Sequence, residues 1–137
     1  MTIVMSQPID ILALYLHLAT ASEKRRRPHV RDRLLVIAAS IAVRCDMPRI
    51  AKYCKSKILE HNPHHLIGRW DTVEAALEDS DFLHLLRSVQ RRYPQERAER
   101  LLETLGIERG AERQAYYSDE EFAASLLGIT WKELDTL

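Results

Sequence analysis

Glycine, proline and cysteine are all scarce in this chain, at 4, 5 and 2 among 137 residues. So few glycines argue against a phosphate-cradling loop, where backbone amides must approach a ligand closely. So little glycine and proline also argues against long irregular connections and leaves disorder to the ends, with residues 1–7 the segment expected to be disordered. Cys45 and Cys54 are too few for a disulfide framework and point to a reducing compartment. No apolar run approaches the roughly 20 residues that cross a bilayer. The stretch from Ile9 to Ala19 contains Asp10 and follows no basic segment of the kind that opens a signal peptide, and the stretch from Leu34 to Val43 is shorter. The expectation is a cytoplasmic protein with no membrane partner. Alternating polar and apolar runs are missing, which excludes a sheet. G-x-S-x-G, H-E-x-x-H and glycine-rich phosphate loops are missing too, so no motif commits the chain to a reaction or a cofactor.

What is present is apolar and charged in balance. Hydrophobic residues make up 46% and charged residues 29%. A chain of this length buries roughly 68% of its extended surface on folding, which supports a single domain over residues 1–137. Net charge is zero but unevenly spread: residues 1–69 hold 12 Lys/Arg and 5 Asp/Glu, residues 70–137 hold 8 and 15, giving +7 against −7. Such a polarity lets the two halves pair with each other, with a copy, or with a charged partner.

Helix punctuation recurs along the chain. Pro8 and Pro28 sit where first-turn prolines belong, predicting helices from Pro8 to Ser22 and from Pro28 to Arg44, joined by a basic connector at 24–28. Asp46 is placed to cap a third helix, whose stripe Met47, Ile50, Ala51, Cys54, Ile58 has the period of a core-facing helix and which stops near Pro63. Residues 61–71 read as a bend. Asp71 with Glu74 predicts a capping box, Ser80 a further cap, and Pro94 a restart. Gly106 is the expected left-handed residue after the next helix, and 107–117 is ambiguous. Ser118 with Glu121, and Thr130 with Glu133, complete the caps. The fold expected is all-α: a compact bundle of about six or seven helices, without internal repeats.

The first two helices are apolar on nearly every side. On a helical wheel the polar stripe of the first is narrow, comprising Asp10, Ala13, His17 and Thr20, and that of the second lies along Arg33, Ser40 and Arg44. Either these helices form a central hairpin wrapped by the rest, or the first gives part of its surface to a homodimer. The second alternative is the expectation, with Leu14 and Leu18 on the dimer face.

Four constellations carry candidate chemistry. Cys54, His61, His64 and His65 hold metal-binding atoms, but Pro63 breaks the helix that would align the imidazoles, and a buried thiol beside bend histidines is expected instead. Asp81 and His84 are one carboxylate–histidine pair where a di-metal site needs several. Lys24, Arg25, Arg26, Arg27, Arg31 and Arg33 form the densest cationic cluster, an electrostatic docking surface. No aromatic residues interleave with it, so stacking on unpaired bases has no support. In the tail, Ala124, Leu126, Leu127, Gly128, Ile129, Thr130 and Leu134 follow a pattern that resembles the bacterial helix-turn-helix. The resemblance implies a DNA-reading second helix, yet the outward residues here include Glu133 and Asp135, with Lys132 the lone cation. The tail is therefore expected not to read DNA.

The sequence assigns no catalytic, cofactor or metal residue. It leads to a non-enzymatic, self-associating protein-interaction domain. The alternative is a nucleic-acid-associated protein using the basic 24–57 region; a weaker one is an enzyme or metal site at the His61–His65 bend.

Overall fold

A computed structural model of the chain describes residues 7–107 and 115–136, with only the backbone at Trp131. The expectations for residues 1–6 and for most of 107–117 lie outside the described residues. The fold is all-α: 75% of the described residues are helical, and none of them lies in a strand or sheet. Among the described residues there are eight α-helices: α1 (Pro8–Lys24), α2 (Pro28–Arg44), α3 (Pro48–His61), α4 (Val73–Ala76), α5 (Ser80–Arg92), α6 (Gln95–Thr104), α7 (Asp119–Leu126) and α8 (Trp131–Leu134). A 3₁₀ turn, Leu66–Arg69, lies inside the expected bend.

α1 and α2 form the central hairpin. α2 packs on α1, α3, α4 and α5, while α1 packs on α2, α6 and α7. Leu12, Leu14, Leu16, Val36, Ala38 and Ala39 have no accessible surface. Leu14 is 0% and Leu18 3% exposed within the single chain, so neither is available to a dimer face. The remaining helices cover those residues. Two residues assigned to polar stripes are also inside. Ala13 is buried, and Ser40 is buried with its hydroxyl donating to the Ile37 carbonyl at 2.8 Å, a local bond that satisfies the group without a partner helix.

The first three helices share one construction. Each opens on a proline, at Pro8, Pro28 and Pro48, and α1 and α2 are both 17 residues long. Each of the two joints is a Schellman turn. Arg27 N–H donates to the Ser22 carbonyl at 2.9 Å with Arg26 left-handed at φ 59°; Met47 N–H donates to the Ala42 carbonyl at 2.8 Å with Asp46 at φ 59°. This geometric recurrence was not visible as a sequence repeat because the side chains differ. It also shortens the connector, since α1 continues through Lys24 and the joint is Arg25–Arg27. It removes Asp46 as the cap of α3 as well: Asp46 sits one position too early, in a backbone conformation that ends α2, and Met47 takes the N-cap position.

Two more caps shift by one residue. Thr72, not Asp71, accepts the Ala75 N–H at the start of α4, and Asp79, not Ser80, accepts the Asp81 N–H at the start of α5. Ser118 and Thr130 cap α7 and α8 through Glu121 and Glu133 N–H groups. Gly106 and Gly128 are left-handed at φ 71° and 76°, as their sites require.

A left-handed arginine costs roughly 1–2 kcal/mol, and glycine returns part of that as unfolded-chain entropy. Arg26→Gly is therefore expected to raise stability by about 0.5–1 kcal/mol, and Asp46→Gly by less, because aspartate tolerates this conformation better. Urea unfolding of both variants measures it. An unchanged or lowered midpoint for Arg26→Gly means its side chain holds the turn by other contacts.

Candidate interaction surface at the α1–α2 joint

The cationic cluster does not stay together. Lys24, Arg25, Arg26 and Arg27 are exposed at the joint, and Arg33 is half-buried on α2. Arg31 is drawn inward, with its side chain 11% exposed. Its guanidinium donates to Glu23 at 2.5 Å, to Asp32 from two nitrogens at 3.0 and 3.3 Å, and to the Lys57 carbonyl at 3.3 Å. Its pKa is raised overall: burial works against the charge, and the bonds to Asp32 and Glu23 outweigh it. Arg31 is thus a clamp between α1, α2 and α3 rather than part of a docking surface.

Asp32 is the centre of this clamp and was missed in the sequence. It lies on the same α2 face as Leu35, Val36 and Ala39, a carboxylate on an apolar stripe, which was the available signal. One oxygen accepts from Arg31; the other meets His61 Nδ1 at 2.5 Å. The His29 ring packs edge-on to His61 at 5.0 Å between centroids. The contacts of Asp32 with His61, and of Arg31 with the Lys57 carbonyl, place the start of α2 against the end of α3. The joint is therefore held at its base by a nearly buried ion pair while its tip stays cationic.

Among the described residues no carboxylate pairs with Lys24, Arg25, Arg26, Arg27 or Arg33. Complementarity between the halves runs elsewhere: Arg49 on α3 pairs with Glu120 and Asp135, and Arg69 with Asp81 at 2.7 Å. The Lys55 ammonium donates to the carbonyls of Trp70 and Asp71 at 2.5 and 2.8 Å.

The histidine bend has other commitments. Cys54 is fully buried, and burial pushes its thiol up to about 12, which disfavours the thiolate a metal needs. His65 Nδ1 accepts the Ile67 N–H at 3.1 Å and caps the 3₁₀ turn. Asn62 accepts the His64 N–H at 3.2 Å. Among the described residues no group of three or more His, Cys, Asp or Glu side chains is arranged to hold a metal ion. Asp81 is taken up by Arg69 rather than by His84. At the tail, α8 spans four residues and Asp135 is turned onto Arg49, so the helix-turn-helix-like residues form a packed corner with Leu134 buried. No helix among the described residues is long and apolar enough to cross a membrane. No protein-family model, curated protein or solved structure matches the chain.

Removing Asp32 takes a nearly buried carboxylate from both Arg31 and His61. Asp32→Ala is expected to cost roughly 3 kcal/mol, as for other broken buried pairs, read as a shift of the urea midpoint; a loss within about 0.5 kcal/mol, the range of an ordinary surface substitution, means the clamp is not structural. His65 gives a pH signature. Burial lowers its pKa below the ordinary 6.5, against a smaller opposing pull from Asp32. The unfolded chain therefore takes up a proton first as pH falls. The contribution of His65 to stability is complete above 6.5 and is lost below it, until the folded ring protonates as well. His65→Asn keeps a capping acceptor and should flatten this part of the stability–pH curve. A curve identical to that of the parent between pH 7 and 5 rules His65 out.

Proposed function

We propose that the protein is a non-enzymatic interaction module that docks an acidic protein surface at the α1–α2 joint. The observation that carries this reading is the tip itself: Lys24, Arg25, Arg26 and Arg27 are adjacent, exposed and without a carboxylate among the described residues. Adjacent like charges repel, and an anionic partner relieves that repulsion. Arginine adds forked hydrogen bonds suited to carboxylates.

A second copy offers such a surface, because Glu74, Glu78, Glu96 and Glu103 are exposed in the acidic half. Self-association in this reading is joint-to-acidic-face and does not use Leu14 or Leu18. The free thiols of Cys45 and Cys54 suit a reducing, cytoplasmic setting. The second reading is a nucleic-acid partner, favoured by the density of cations at one exposed turn. Zero net charge weighs against it, since the acidic half is repelled by an extended phosphate surface.

Changing Arg25, Arg26 and Arg27 to alanine separates the readings. Stability should move by no more than about 0.5 kcal/mol from lost contacts, with any relief at Arg26 absent because alanine also has a side chain. Sedimentation at low salt should show concentration-dependent association in the parent that weakens in the triple variant and with added salt. Parent binding to a mixed-sequence RNA or DNA duplex at physiological salt, lost in the variant, favours the second reading. A parent that neither associates nor binds duplex removes docking on a second copy and the nucleic-acid reading.

A further inference from the structure

At the other end of the hairpin lies a groove that docking at the joint leaves unused. It has a volume of about 440 Å³ and, among the described residues, is lined by nine from α1, α2 and the α5–α6 corner. That volume falls in the range of roughly 300–1,000 Å³ typical of small-molecule sites. The walls are mainly apolar: Ile11 and Ile41 are half-buried, Tyr15 and Ile37 are buried beneath, and Pro8 and Pro94 are exposed beside them. The Tyr15 hydroxyl is already spent, donating to the Tyr93 carbonyl at 2.7 Å, so the floor offers ring carbon rather than a donor. One cation stands on the rim. Arg44, the last residue of α2, is exposed and pairs with no carboxylate among the described residues. The rest of the lining is amide: Gln90 and Gln95.

An apolar groove whose described lining holds one cation suits an apolar molecule with one anionic head. We infer that this groove binds a small amphiphile, an unbranched acyl chain lying along Ile11, Tyr15 and Ile41 with its carboxylate on Arg44. A second copy of the chain is the poorer occupant. A standard protein interface uses about 20–30 residues a side, and nine described residues line this groove. The site is independent of the joint, where the proposed protein partner docks, so the two stand or fall separately.

The probes are dodecanoate, kept below its aggregation concentration, and dodecanol, which has the same chain without the charge. Binding to the full chain is followed by titration calorimetry and by the methyl NMR signals of Ile11, Ile37 and Ile41. Dodecanoate should saturate at one per chain and shift those methyl signals. Arg44→Gln, a change at an exposed position, should weaken dodecanoate about fivefold while leaving dodecanol unaffected, the size expected of one exposed ion pair. Ile11→Asp should weaken both ligands, with circular dichroism confirming that the helices persist. The inference is overturned if dodecanoate fails to saturate, or if its affinity ignores both substitutions. It is also overturned if a dimer forms that protects the groove methyls, or if Ile3→Asp with Val4→Asp tightens binding, which assigns the groove to the chain's own first residues.

Discussion

Two consecutive helices that are apolar around most of their circumference set the constraint from which this fold follows. Such helices must be surrounded, and in this structure the later helices surround them. α3 to α7 meet that demand from different sides: α3, α4 and α5 lie on α2, and α6 and α7 lie on α1. The polar contacts that fix these covering helices are few and reach far along the chain. The Tyr15 hydroxyl bonds to the end of α5 through the Tyr93 carbonyl, and the Thr20 hydroxyl reaches the Leu126 carbonyl at the end of α7 at 2.9 Å. Burial keeps the Tyr15 phenol protonated, with its pKa pushed up to about 12 and Glu99 adding to the effect, so the hydroxyl remains a donor over the working pH range.

The second organising feature is the division of labour within one run of cations. Arg31 and its neighbours look equivalent as sequence, yet one helical turn separates a guanidinium that clamps three helices from four side chains held out in solvent. Asp32 makes that division. A carboxylate buried at the start of α2 needs compensation, and Arg31 and His61 supply it from both sides. The clamp fixes the base of the joint, so the exposed cations project from a rigid platform rather than from a loose linker. In the docking proposed above, that fixed base reduces the ordering cost of binding.

Much of the architecture was legible because it rests on local chemistry. Pro8 and Pro28 open their helices, Gly106 and Gly128 end theirs, and Ser118 and Thr130 cap through the expected N–H groups. The one-residue errors share a cause: where two competent side chains stand together, as at Thr72 beside Asp71 and Asp79 beside Ser80, packing chooses which one reaches the orphan amides. Left-handed Arg26 and Asp46 were hidden because their type does not advertise that conformation. Leu14 and Leu18 were misassigned for a different reason, since a wheel shows how much apolar surface a helix carries but not how much the rest of the chain covers. The Asp32–His61 contact joins residues far apart in sequence, so spacing alone gave no hint of it.

The Schellman geometry of the joint has a consequence for chemistry done to the chain rather than by it. Three successive arginines form an inviting sequence for a trypsin-like protease, and their side chains are exposed. Such an enzyme, however, must lay several residues of substrate backbone out straight in its cleft. Here the backbone is closed, with Arg25, Arg26 and Arg27 N–H groups each bonded back to carbonyls of α1, and Pro28 follows immediately. Cleavage at Arg25 and Arg26 is thereby tied to transient unwinding of the last turn of α1, so its rate reports how often that end of the hairpin opens rather than how accessible its side chains are.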